Sequence, residues 1–321
     1  MPASYVHQCI AKDTCDSLHL FEDDQLCAAL LAGSEGPDPF FFSVIPLPGA
    51  LSVPKLGSLM HTKKTGDFLI ALAKACSASE ITRAYCCGFF SHYAADTTCH
   101  PFVYAHSLQA DGQYSGVIHC TLEHGLETLF YRRRGNDIDL PTQMAGFLLL
   151  SNENKDKIAR ALSAALNEVF PEHRIALWRV RRSFEDAAFL CTLLRSPGGR
   201  RYSALGAIAS LIGMKDALHA HMMPKEPPAQ DIANDAHAVW FSPWAPETPR
   251  TDSFSDLYDA AKSRAGVLIV AAIAFMRDEM NEAALRFIAG DNSFDSGISW
   301  KETLPAGEVF AMRRDGEANS R

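Results

Sequence analysis

The stretch from Tyr85 to Pro101, YCCGFFSHYAADTTCHP, sets His92, Asp96 and His100 at successive four-residue steps. Residues four apart share one face of an α-helix, so His92 and Asp96 can converge on one ion while His100, at the helix end, turns toward another. Imidazole together with carboxylate suits zinc, iron or manganese. The helix is expected to run from Glu80 to Cys99, because Pro101 disfavours helical geometry in the residue before it. Downstream, IHCTLEHGLE repeats the step with His119 and Glu123. Either pair alone reads more simply as a surface or capping contact, but two pairs within about 30 residues favour a site between two neighbouring helices.

Outward from this stretch the pattern stays helical. Apolar residues at three- and four-residue steps place one or two helices in Tyr5–Ala32, broken near Asp23 and Asp24, and another from Thr65 to Ala75. Further helices are expected at Val117–Tyr131, Lys155–Phe170, Phe184–Leu194, Ser203–His221 and Ser253–Ile288. Five prolines and four glycines make Gly33–Gly57 an ordered loop. Six prolines make Met223–Pro249 a surface connection, with Trp240, Phe241 and Trp244 packed onto something. Alternating strand patterns are scarce. The expected organisation is one all-helical domain over residues 1–290, with ligands within 2–127 and supporting helices over 150–290, then a polar, partly disordered tail over 291–321.

Composition narrows the function. A net charge of -8 argues against a general nucleic-acid or membrane-surface binder, which would carry a basic surplus. The start, MPASYVHQCI, lacks the basic and apolar regions of a secretory signal, so a cytoplasmic location is expected. The longest apolar stretch, Ala265–Phe275, is too short to span a bilayer and reads as a buried helix. Nine cysteines without a C-x-x-C pair point to free thiols rather than a thiolate zinc site.

His7 in the first helix, Asp38 in GSEGPDPFFF and His61 in LMHTKKTGDF are further candidates. Singly, each has a structural explanation: a satisfied core histidine, a turn residue between two prolines, a residue at a helix start. In order, however, PASYVHQ, GSEGPDPFFF, MHTKKTGDFL, YCCGFFSHYAADTTCHP and HCTLE resemble the zinc-dependent phospholipase C family, which belongs with the S1/P1 nucleases in one structural superfamily. The resemblance covers roughly residues 2 to 130 and the remainder only as a helical pattern.

The resemblance implies an all-α bundle of the phospholipase C/P1 nuclease type around three zinc ions. Asp38, His61, His92 and Asp96 would hold one ion of a close pair, and Asp96 would bridge to the second, which takes His7. Secreted members complete that second shell with a processed tryptophan, absent here; removal of Met1 would let the Pro2 imino group and carbonyl serve instead. The third ion would take His100, His119 and Glu123, with Glu127 orienting His119 or another ligand. The implied chemistry is phosphodiester hydrolysis, a metal-bridged hydroxide attacking phosphorus, with Asp38 and Asp96 as the catalytic carboxylates. Its substrate would be a phospholipid or a soluble phosphodiester. The alternatives are an S1/P1-like nuclease or nucleotide phosphodiesterase, and a non-catalytic interaction protein whose metals only staple the helices. No stable nucleic-acid partner is expected, since neither a base-stacking slot nor a basic strand path is visible.

Phe40, Phe41, Phe42 and Tyr93 either wall a cleft or belong to the core, the latter being expected of at least two. Arg132–Arg134 read as a solvent-facing helix end, and His106, His124, His219, His221 and His237 as structural.

Overall fold

Six of the helices begin where the chain supplies a side-chain cap. Side chains of Asp23, Ser79, Ser115, Ser151, Ser253 and Asn281 accept first-turn N–H groups that would otherwise lack partners, each contributing about 1 kcal/mol. The computed structural model describes residues 4–42, 53–109, 111–136, 140–196, 199–211, 215–306 and 308–310. In chain order the helices are α1 (Ser4–Ser17), α2 (Asp24–Gly33), α3 (Val53–Thr62), α4 (Thr65–Cys76), α5 (Glu80–Ala105), α6 (Gly116–Arg133), α7 (Ala145–Leu149), α8 (Asn152–Val169), α9 (Leu177–Leu194), α10 (Arg200–Ser210), α11 (Lys215–His219), α12 (Phe254–Met276) and α13 (Glu282–Ala289). Short 3-10 turns occupy Asp38–Phe42 and Pro171–His173, and β1 (Trp240–Ser242) pairs antiparallel with β2 (Ala245–Arg250). The fold is an all-α bundle, with that hairpin as its only sheet among the described residues.

α5 is the axis of the bundle. Twenty of its 26 residues are buried, because α1, α2, α4, α6, α8 and α12 all pack against it. Its crossing with α2 is set by two glycines. A Cβ on Gly33 would lie 1.9 Å from the Tyr85 carbonyl oxygen, and one on Gly88 would lie 2.1 Å from the Leu30 carbonyl oxygen. This backbone-to-backbone approach places the chain after α2, which carries Asp38, over the His92 turn. α12 packs along α5 and buries small residues, Ala261, Ala265, Ala271 and Ala272, between Leu257, Leu268 and Ile269. No helix among the described residues is long and apolar enough to cross a membrane.

Several boundaries differ from the sequence expectation. α5 does not stop before Pro101 but continues to Ala105. An interior proline costs about 3 kcal/mol, and burial of Phe102, Val103 and Tyr104 offsets it. Pro101 cannot donate to the Thr97 carbonyl, and the backbone of Gly297 approaches that carbonyl so closely that a Cβ there would lie 2.3 Å from it. The Gly33–Gly57 loop is shorter than expected: Asp38–Phe42 forms a 3-10 turn, residues 43–52 lie outside the described residues, and α3 starts at Val53. Ser203–His221 and Ser253–Ile288 each divide into two helices. The tail does not begin at residue 291, because Ser293 and Phe294 are buried against His61 and His100. Residues 311–321, including the polar end, lie outside the described residues.

Trp240 packs edge-on against Phe102 of α5, and Trp244 against Tyr104, so the hairpin closes that end of the bundle. Phe241 remains exposed. Phe40, Phe42 and Tyr93 are core residues, whereas Phe41 lies half-exposed with its ring 5.2 Å from that of His61. The arginines pair locally: Arg134 with Asp13, Arg133 with Asp235, and Arg132 with the carbonyls of Asn136 and Lys225.

Candidate metal centre

Five histidines and three carboxylates meet inside the bundle. His7 comes from α1, Asp38 from the 3-10 turn, His61 from the end of α3, His92, Asp96 and His100 from α5, and His119 and Glu123 from α6. None of the eight is more than 7% exposed. Their nitrogen and oxygen atoms form three groups, each closing to within 4.8 Å: His7, His92 and Asp96; Asp38, His61 and His92; and His100, His119 and Glu123. Asp96 links them. Its Oδ1 lies 3.2 Å from His7 Nε2 and 3.5 Å from His100 Nε2, and its Oδ2 lies 2.9 Å from His92 Nε2 and 3.7 Å from His61 Nε2. Asp38 Oδ1 stands 3.2 Å from His61 Nε2, and Glu123 Oε1 stands 3.2 Å from His119 Nε2 and 3.3 Å from His100 Nε2. Pro2 lies outside the described residues.

The rings are aimed from behind. His61 Nδ1 bonds to the Gly57 carbonyl at 2.8 Å, His92 Nδ1 to the Ser34 carbonyl at 2.9 Å, and His100 Nδ1 to the Phe294 carbonyl at 3.0 Å. A carbonyl can only accept, so each Nδ1 carries a proton, and whenever such a ring is neutral its Nε2 presents a lone pair inward. Those lone pairs then face carboxylate oxygens, an arrangement of acceptors that a cation between them resolves. His92 Nε2 and Asp96 Oδ2, though 2.9 Å apart, do not have hydrogen-bond geometry toward each other, and neither has a hydrogen-bond partner among the described residues. A cavity of about 20 Å³, room for one water or ion, has His7, Asp96, His100 and Glu123 in its lining beside apolar residues such as Val6, Val103 and Phe254. The donor set and its geometry therefore fit divalent metal.

Without metal, protons must do that work. Burial disfavours the charged form of His92, yet the Asp96 and Asp38 carboxylates carry it up to about 9. Burial likewise opposes His100, which Asp96 and Glu123 raise to about 10. Burial lowers His7 and His119, keeping them neutral. Against burial, His100, His92 and His7 hold Asp96 well below the usual carboxylate range, and His92 and His61 lower Asp38. Zinc binding to the metal-free protein at pH 7.5 is thus expected to expel about two protons per chain, from His92 and His100. Calorimetry in buffers of different ionisation enthalpy checks this; zero release would contradict it. The same two groups make the metal-free fold more stable below about pH 6.5, and that contribution is lost as pH rises through about 9 to 10.

Two features near the site carry no signal in residue spacing. Gly36 adopts φ +53°, and a Cβ there would lie 2.3 Å from the His92 ring, so only glycine lets the loop lie flat on that imidazole. Glu35 is fully buried, accepts from Ser4 Oγ at 2.7 Å and Gln8 Nε2 at 2.8 Å, and is pushed by burial up to about 7. It ties α1, which bears His7, to the loop that bears Asp38. Glu127, expected to orient His119 or another ligand, accepts from the Tyr5 backbone N–H and Gln143 Nε2, fastening the first turn of α1. Its side chain starts one turn beyond Glu123, and the helix start, with its own N–H groups to satisfy, claims the carboxyl.

A sequence profile for zinc dependent phospholipase C matches residues 6–174, more than half of the 321 residues. The chain belongs to the zinc-dependent phospholipase C family. All eight described candidate ligands fall within the matched region, and the metal type that the profile names agrees with the imidazole and carboxylate donor set. No curated protein and no solved structure matches the chain.

Proposed function

We propose that this family member is a zinc-dependent phosphodiester hydrolase of the phospholipase C type, working through three zinc ions. The observation that carries this reading is the convergence of three buried ligand groups joined through the two oxygens of Asp96. Asp38, His61, His92 and Asp96 are assigned to one ion of a close pair. His7 and Asp96 are assigned to its neighbour, and His100, His119 and Glu123 to the third. Zinc held by these residues would make a bound water acidic enough to supply hydroxide near neutral pH and would neutralise charge on phosphoryl oxygens. Asp38, kept ionised beside His92 and His61, is assigned the role of accepting the proton of the attacking water. Asp96, also ionised, holds the histidines of all three groups in one constellation. The nine cysteines are all free, and burial raises most of their thiols, consistent with a reducing compartment such as the cytoplasm.

The test is elemental analysis of protein purified without added metal or chelator, together with phosphodiesterase assays on phospholipid, nucleotide and chromogenic substrates. Three zinc ions per chain are expected in the wild type, with hydrolysis of phospholipid or a small phosphodiester and one ion fewer in His119→Ala. A wild-type chain that takes up no zinc even when it is supplied would sink the reading.

A further inference from the structure

The segment after α13 reaches the metal centre from more than a hundred residues beyond the family-matched region. Gly290, at φ +73°, ends α13, and residues 291–300 form a closed loop. Within it Ser293 N–H donates to the Ile298 carbonyl at 2.8 Å, and Trp300 N–H to the Asp291 carbonyl at 3.0 Å. Tyr93 of α5 pins its start: the hydroxyl donates to the Ala289 carbonyl at 3.1 Å and accepts from the Asn292 N–H at 2.9 Å. Gly66 and Gly297 let its backbone sit down on α4 and α5, since a Cβ on either would overlap the Gly290 or the Thr97 carbonyl oxygen.

At the tip of the loop, Phe294 touches three of the candidate ligands. Its carbonyl accepts the His100 Nδ1 proton at 3.0 Å. Its N–H, at 2.9 Å, and the Ser293 hydroxyl, at 3.1 Å, both donate to the His61 carbonyl. Its ring centroid lies 5.3 Å from that of His61 and 5.7 Å from that of His92. The carbonyl on Nδ1 decides which nitrogen of His100 bears the proton and how the ring is rotated, and the Phe294 ring fills the space in which His61 and His92 would otherwise turn.

We propose that residues 290–300 are a positioning element of the metal centre, fixing the tautomer and rotation of His100 and bracing His61 and His92, so that zinc affinity depends on this distant segment. The inference rests on the zinc reading of the site. It is tested in the full-length protein with Gly297→Ala, Phe294→Ala and Phe294→Leu. Affinities are read by competition with a chromogenic zinc chelator, ligand geometry by the absorption spectrum of the cobalt(II)-substituted protein, and folding by circular dichroism. At φ +70°, with its Cβ 2.3 Å from the Thr97 carbonyl, an alanine at position 297 must lift the loop. It is expected to weaken one zinc ion by about 10- to 100-fold and to change the cobalt spectrum while leaving helical content intact. Phe294→Ala should shift both readouts the same way, and Phe294→Leu, by refilling the space, should restore most of the affinity.

Wild-type affinities and spectrum in Gly297→Ala overturn the proposal, as does a Phe294→Leu protein that binds zinc no better than Phe294→Ala. A loss of helical signal in Gly297→Ala, with no zinc difference between the two Phe294 variants, counts against it as well, since the loop would then serve folding alone. A wild type that takes up no zinc overturns the reading of the site itself, an outcome distinct from variants that match a zinc-loaded wild type.

Discussion

Asp96→Asn is expected to strip the close pair of zinc ions from the protein and to lower phosphodiesterase turnover by at least the order of 10²-fold, the scale of losing one preorganised charge-stabilising group. The carboxylate faces His7 and His100 through Oδ1 and His92 and His61 through Oδ2, so both oxygens must act as acceptors. An asparagine replaces one of them with an N–H donor and removes the negative charge that favours cations among buried imidazoles. His92 also loses the partner most responsible for raising it, so the variant's metal-free form should hold fewer protons near pH 8. Elemental analysis and a chromogenic phosphodiester assay check this; full zinc occupancy in the variant would show that the three groups do not share Asp96.

Gly88→Ala is expected to destabilise the fold by about 1 kcal/mol net, measured as a lower midpoint in urea with unchanged slope. Alanine in a helix interior gains about 0.5–1 kcal/mol over glycine. Here overpacking, which costs about 1–3 kcal/mol, outweighs that gain, because the obstacle is the Leu30 carbonyl oxygen at 2.1 Å, part of the α2 backbone, and no side chain can yield instead. Parting α2 from α5 also moves the Ser34 carbonyl away from His92 Nδ1 and Asp38 away from His61, so zinc affinity should fall along with stability. A Gly88→Ala protein as stable as the wild type would mean that the two helices can separate freely, contrary to this packing.

The candidate metal centre was legible along the chain to the extent that helical spacing writes it there. His92, Asp96 and His100 on α5, and His119 and Glu123 on α6, announce themselves by four-residue steps because one helix turn returns a side chain to the same face. His7, Asp38 and His61 have no such periodicity and were reached only through the resemblance of ordered motifs. Glu35, Gly36 and Phe294 gave no signal, since a buried hydrogen bond, a positive φ and a backbone carbonyl leave no pattern in residue type. Pro101 misled for a related reason: local propensity marks a helix end there, whereas burial of the next turn outweighs it.

By itself, then, the sequence determined the helical class, the kinds of donor atom at the site and the turn of helix on which five of them lie, because these depend on contacts within a few residues. Tertiary structure alone decided that α5 is surrounded on all sides, that two glycines bring Asp38 over His92, that Glu127 serves the start of α1, and that residues 290–300 close on His100. Those outcomes depend on which backbones can approach across separations of fifty to two hundred residues, where only the packed geometry says which acceptor meets which donor.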